Sequence, residues 1–132
     1  MDKNLGILVL GHGSRLPYNK EIVDGVAQIL ANDHPDAIVH AAFMNMSPPT
    51  VKEGIESFAD TDVDRIVVSP IFLAQGVHTI EDIPRILGLP EGQTKKTISL
   101  NGRDVQLFYA KPLGLDQKIA DLSYKRIVES LQ

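Results

Sequence analysis

Two histidines carry most of the chemistry that this 132-residue sequence offers. His12 lies in the stretch Gly11-His12-Gly13-Ser14-Arg15, and His78 ends the stretch Pro70-Ile71-Phe72-Leu73-Ala74-Gln75-Gly76-Val77-His78. Each follows a short apolar run and has glycine close by, which lets the backbone approach a ligand closely. Imidazole changes charge near neutral pH and, when neutral, ligates first-row divalent metals through nitrogen. A convergent pair therefore suits a proton acceptor, a metal site, or both. The competing reading for each ring is a simple hydrogen bond to a loop carbonyl. His34, ahead of Pro35 at a helix end, and His40, inside an apolar strand, read as structural, the first because a cation there complements terminal helix carbonyls.

Other chemistries are excluded by what the sequence lacks. With no cysteine there are no disulfides, thiolate metal sites, iron–sulfur clusters or cysteine nucleophiles. Gly11 and Gly13 make neither a dinucleotide fingerprint, which needs a third glycine and an acidic residue after the second strand, nor a P-loop. A phosphohistidine site after a first strand needs an adjacent arginine for bidentate phosphate contacts. The residue before His12 is Gly11, and Arg15 is a weak substitute.

Around the pair, Arg15, Lys20, Lys52, Arg85, Lys95, Lys96, Arg103 and Lys111 fall in or near the loops and flap expected beside it, where they can either receive carboxylates or remain solvated surface charges. Phe43, Met44, Met46, Phe72, Leu73 and Val77 supply apolar surface near the same loops. Glu81 and Asp82 are carboxylates close to His78, placed where they would also favour the N-terminus of a helix.

The elements that must position these groups follow from hydrophobic periodicity. Residues 5–10 are a continuous apolar run, too short for a helix, and read as a strand buried on both faces. Pro17 opens a helix with Tyr18, Ile22, Val26, Ile29 and Leu30 on one stripe, ending before His34. Residues 37–43 read as a second strand, and Pro48 and Pro49 suit the first turn of a helix carrying Val51, Ile55 and Phe58. A third strand at 65–69 leads through an extended segment to a helix at 81–87, for which Thr79 and Asp82 resemble a capping box. The polar stretch 91–104 reads as a small hairpin or mobile flap, with Asn101-Gly102 favouring a type I′ turn. Residues 105–109 form the fourth core strand, and 116–131 a final helix with Ile119, Leu122, Ile127 and Leu131 facing inward. Strand alternating with helix implies a doubly wound parallel four-stranded sheet flanked by helices. Ligands then sit at the carboxyl ends of the strands, which is where His12 and His78 fall.

Length and composition agree. The chain suits one domain spanning 1–132, against roughly 150 residues per domain. Hydrophobic residues at 43% and charged residues at 23% are ordinary for globular proteins. No apolar run reaches the roughly 18 residues that span a bilayer, and no leader cleavage site is evident, so the expectation is a soluble, cytoplasmic protein. A net charge of −4 and the absence of tryptophan argue against nucleic acid as a partner.

Taken together, GHGSR at 11–15, AFMNM with its following prolines at 42–49, PIFLAQGVH at 70–78, DIP at 82–84 and KPLG at 111–114 resemble the small archaeal sirohydrochlorin chelatases over nearly the whole chain. These are class II chelatases whose short form is a homodimer resembling the two halves of longer, fused relatives. The resemblance implies insertion of Co2+ or Ni2+ into sirohydrochlorin without ATP or another cofactor, toward cobalamin or the nickel tetrapyrrole of methane formation. It implies His12 as proton acceptor and metal ligand, His78 as second metal ligand, and Asn45, Leu73, Ala74, Gln75, Gly76, Val77 and His78 as tetrapyrrole contacts. Many relatives carry glutamate where this sequence has Asn45, which removes a carboxylate ligand from that loop. A non-catalytic metal or tetrapyrrole carrier is the alternative, since binding residues alone do not distinguish storage from turnover.

Overall fold

The computed structural model describes residues 4–132. Five strands form one sheet: β1 (Leu5–Gly11), β2 (Ile38–Phe43), β3 (Arg65–Pro70), β4 (Lys95–Leu100) and β5 (Arg103–Tyr109), in the order β2-β1-β3-β5-β4. β2, β1, β3 and β5 run parallel, as the alternation of strand and helix requires. β4 is the addition to the expected four strands. It pairs antiparallel with β5 from Lys95↔Phe108 to Leu100↔Arg103. The hairpin foreseen at 91–104 is thus a sheet edge rather than a flap. Asn101 (φ 50°) and Gly102 (φ 80°) both take the left-handed backbone that a two-residue I′ turn demands.

The helices are α1 (Tyr18–Asp33), α2 (Val51–Glu56), α3 (Ile83–Leu87), entered through a widened π-type turn at His78–Asp82, and α4 (Gln117–Ser130). α2 and α3 close one face of the sheet over Leu8, Leu10, Ala42, Phe58, Ile66, Val68, Val105 and Leu107. α1 packs Val23 and Ala27 on the other face against Val9 and Phe43. Pairing helices on both sides makes the sheet doubly wound. Among the described residues no helix is long and apolar enough to cross a membrane.

Three local expectations are corrected. α2 starts after the two prolines, capped by Thr50: its hydroxyl accepts from Glu53 N–H at 3.1 Å while the Glu53 carboxylate accepts from Thr50 N–H at 2.8 Å. Phe58 lies beyond the end of this short helix but is fully buried. Thr79 and Asp82 do not form a capping box, because the Thr79 hydroxyl is taken by Gly76, whose N–H it accepts at 2.8 Å. α4 buries no residue. Leu122, Ile127 and Leu131, expected to face inward, are exposed, and Ile119 is only half-buried, because α4 does not pack onto the sheet of its own chain.

Candidate functional site

The parallel register brings the loops after β1, β2 and β3 to one rim. Past the end of the β1–β2 ladder the pairing continues: Met44 N–H donates to Gly11 O at 3.0 Å and Asn45 N–H to His12 O at 3.2 Å. Gly13 (φ +89°) rests directly on Asn45. A β-carbon at this glycine would stand 1.7 Å from the Asn45 carbonyl oxygen. The Asn19 side chain, in the first turn of α1, accepts from Gly13 N–H at 3.0 Å. His12 is thus held by backbone on both sides.

His78 reaches the same point from the loop after β3. The two imidazole centroids are 4.5 Å apart, with ring planes inclined by 58°. Phe72 lies 6.3 Å from both rings, edge-on to His12, and gives the pair an apolar wall. His12 Nδ1 lies 3.0 Å from the Gly13 carbonyl and His78 Nδ1 2.8 Å from Asp82 Oδ2. A carbonyl or an ionised carboxylate only accepts, so each Nδ1 carries the proton and each neutral ring keeps its Nε2 lone pair. The loop-carbonyl bond weighed as an alternative role for His12 is therefore present, and it fixes the tautomer that a ligand or base needs.

No group of three or more histidine, aspartate or glutamate side chains able to hold a metal occurs among the described residues. Two imidazoles are the available donors, leaving coordination positions for an incoming ligand. Around them Met46, Leu73, Val77 and Ile80 are more than 60% exposed, an apolar apron of a kind that suits a large flat ligand. Asn45, Leu73, Ala74, Gln75, Gly76 and Val77 all lie exposed on this rim. A cleft of about 970 Å3 lined by Gln75, Thr79, Glu81, Arg85 and Tyr109 borders the π-type turn but includes neither His12 nor His78, so the imidazole pair lies on the open rim outside it.

Some expected residues are elsewhere. Arg103, expected in the flap, sits at the opposite end of the sheet, donating to the carbonyls of Val63, Phe58 and Thr61, with 2.6 Å to Thr61. Lys20 pairs with Asp24 at 2.9 Å and lies 5.1 Å from the centre of the Phe43 ring. Phe43 is core. His34 caps α1 through its backbone N–H, and His40 lies in β2, stacked on Phe58 at 4.5 Å, with burial lowering its pKa. Of the two roles open to Asp82 in the sequence, the structure shows the contact with the site: its carboxylate bonds His78, at the four-residue spacing of one helical turn. Tyr109 was missed; its hydroxyl donates to the Thr79 carbonyl at 2.8 Å and pins the first turn of the His78 segment.

The profile of the CbiX family matches residues 6–130. The chain belongs to the CbiX family. The sirohydrochlorin cobaltochelatase of Methanosarcina barkeri is 51% identical over 131 residues, 99% of this chain and 100% of its own length. That of Methanococcoides burtonii is 44% identical over 129 residues, 98% of each chain. Among solved structures, the sirohydrochlorin chelatase SirB from Bacillus subtilis in complex with cobalt superposes with a TM-score of 0.75 at 22% identity, covering 95% of this chain and 50% of that one. This CbiX chain thus spans about half the length of SirB. A CbiX protein of Marinobacter aquaeolei superposes with a TM-score of 0.70 at 22% identity over 96% of this chain and 97% of its own. Both likenesses bear on the fold.

Proposed function

We propose that this CbiX protein is a sirohydrochlorin chelatase that inserts Co2+, and also accepts Ni2+, into its tetrapyrrole. The observation that carries the reading is the His12–His78 pair, 4.5 Å apart on an open apolar rim with both Nδ1 positions occupied. Full-length likeness to the Methanosarcina cobaltochelatase supports it.

Insertion exchanges two pyrrole protons for one divalent ion. The metal is a substrate, and the reading assigns no other cofactor. His78 Nε2 holds the ion while its water is stripped. His12 Nε2 gives up its share of the ion as the ring nitrogens take it and then accepts one pyrrole proton, while the second pyrrole proton leaves to solvent. Two borderline nitrogen donors hold a first-row ion without completing its coordination shell, so the ring nitrogens can displace them. Asn45 and residues 73–78 bound the macrocycle, with backbone N–H groups of the Ala74–Val77 stretch available to its carboxylates.

The same reading makes the protein a homodimer. What supports this is α4, whose face of Ile119, Tyr124, Ile127, Val128 and Leu131 lies on no surface of its own chain. On the α1 side of the sheet, α1 packs over β1 and β2, while Val67 and Phe108, register partners on β3 and β5, stay half-buried. One spare helix and one bare half-sheet per chain are satisfied together by reciprocal exchange about a twofold axis. The linker to α4 bonds the site loop, Leu113 N–H to Phe72 O at 2.9 Å and Gly114 N–H to Leu73 O at 2.7 Å, so α4 leaves from the rim.

The test is anaerobic absorbance spectroscopy of sirohydrochlorin with catalytic protein and Co2+ or Ni2+, against metal alone. Multiple turnovers lost in both His12→Ala and His78→Ala are expected. A shift saturating at one ligand per site, with no acceleration, would mean a carrier.

A further inference from the structure

The π-type turn that carries His78 also carries a carboxylate aimed back at it. Pro84 has no N–H for the Ile80 carbonyl, and its ring crowds that oxygen, so the helix opens just before it. The Ile83 N–H then reaches the His78 carbonyl five residues back. In this widened turn Asp82 Oδ2 meets His78 Nδ1 at 2.8 Å, and Asp82 Oδ1 accepts from Arg85 Nη2 at 2.9 Å. The side chains grade from 47% exposed at His78 to 23% at Asp82, so the carboxylate is the most sheltered part of the relay. Neither oxygen of Asp82 is left to cap α3, which has no side-chain cap at this end.

We propose that Asp82 is the positioning residue for His78: it accepts the hydrogen bond from Nδ1–H, turns Nε2 toward His12, and is itself held in place by Arg85. The proposal rests on His78 being a metal ligand. Asp82 reaches the metal only through the ring. A carboxylate behind a ligating imidazole fixes its tautomer and rotation and strengthens it as a donor, and losing such a partner costs metal affinity about 10- to 100-fold. His12 has only a carbonyl acceptor at the corresponding nitrogen, so the two ligands are unequal and His78 is the stronger donor. That asymmetry gives the ion a preferred holder.

The experiment uses the full chain, with Co2+ alone as the probe, in wild type, Asp82→Ala and Asp82→Asn. Imidazole 15N–1H correlation spectra above the titration range report which nitrogen of His78 carries hydrogen, and visible absorbance reports Co2+ affinity. In wild type the proton is on Nδ1. In Asp82→Ala it moves to Nε2, and Co2+ affinity falls at least tenfold with unchanged circular dichroism. Asp82→Asn has one acceptor oxygen for two donors; with that oxygen on Arg85 the carboxamide NH2 faces His78, so the proton moves to Nε2 and Co2+ affinity falls as in Asp82→Ala. A wild-type ring protonated on Nε2, or an Asp82→Ala protein binding Co2+ within twofold of wild type, overturns the proposal. Wild-type protein that binds Co2+ yet never metallates sirohydrochlorin would instead overturn the chelatase reading, and the tautomer would still decide on Asp82.

Discussion

At the scale of single residues the site depends on atoms that have nowhere else to go. Gly13 is the sharpest case, because its left-handed backbone and the carbonyl of Asn45 behind it both exclude a side chain. Gly13→Ala is expected to push the His12 and Asn45 loops apart and lower Co2+ insertion by at least a hundredfold while the sheet stays folded, as activity and circular dichroism will show together; insertion within threefold of wild type would contradict this. Tyr109 makes a second prediction through pH. Burial pushes its phenol up to about 12, and the neutral form donates to Thr79. The folded-state value lies above the ordinary one near 10, so this contribution is complete below about pH 10 and is lost as pH climbs toward 12. Tyr109→Phe should be about 1 kcal/mol less stable near pH 8 and should show a shallower fall in melting temperature above pH 10. Parallel falls in the two proteins would count against it. The two histidines were legible from sequence because each follows an apolar strand; Asp82 was not, since an acidic residue in a first turn has a ready explanation in the helix dipole, and only the opened turn reveals the other.

At the scale of elements, strands and long helices were legible because their signals are periodic, and short elements were not because theirs are local. β1 was read from six apolar residues, and α1 from its three-and-four spacing. β4 reads in the sequence as either a hairpin arm or a flap because Lys95, Lys96, Thr97 and Ser99 leave only Ile98 and Leu100 as apolar positions, the composition of an edge strand with one wet face. α2 was placed on its prolines, whereas Thr50 and Glu53 set its start. That reciprocal cap matters for function, since α2 begins directly after the loop that bears Asn45. Thr50→Ala is expected to cost about 1 kcal/mol in urea unfolding and to raise the KM for sirohydrochlorin more than it changes kcat. A variant equal to wild type in stability would show that the cap contributes nothing here.

At the scale of the whole molecule, α4 is the element that the rest of the chain does not explain. The sequence predicts Ile119, Leu122, Ile127 and Leu131 facing a core of their own chain, whereas none of α4 is buried and Tyr124, Ile127, Val128 and Leu131 share an exposed side. Periodicity specifies that a helix will bury one side; it does not say whose surface does the burying. In this fold the vacant half-sheet and the unpacked helix are both consequences of a 132-residue chain with only α1 on that face. In the proposed homodimer, α4 exchanged between two copies would fill both places. Because the linker is bonded to Phe72 and Leu73, α4 leaves from the rim, so the proposed dimer would bring two histidine rims to the same side of the interface. Association and insertion should therefore fail together. Tyr124→Glu combined with Ile127→Glu puts two charges into the exchanged stripe without touching the rim. Sedimentation at micromolar concentration is expected to give wild type at twice 14.5 kDa and the double variant at 14.5 kDa, with insertion in the variant reduced at least tenfold. If wild type sediments as a single 14.5 kDa chain with full activity, α4 must fold back onto its own sheet, and the site is complete in one copy.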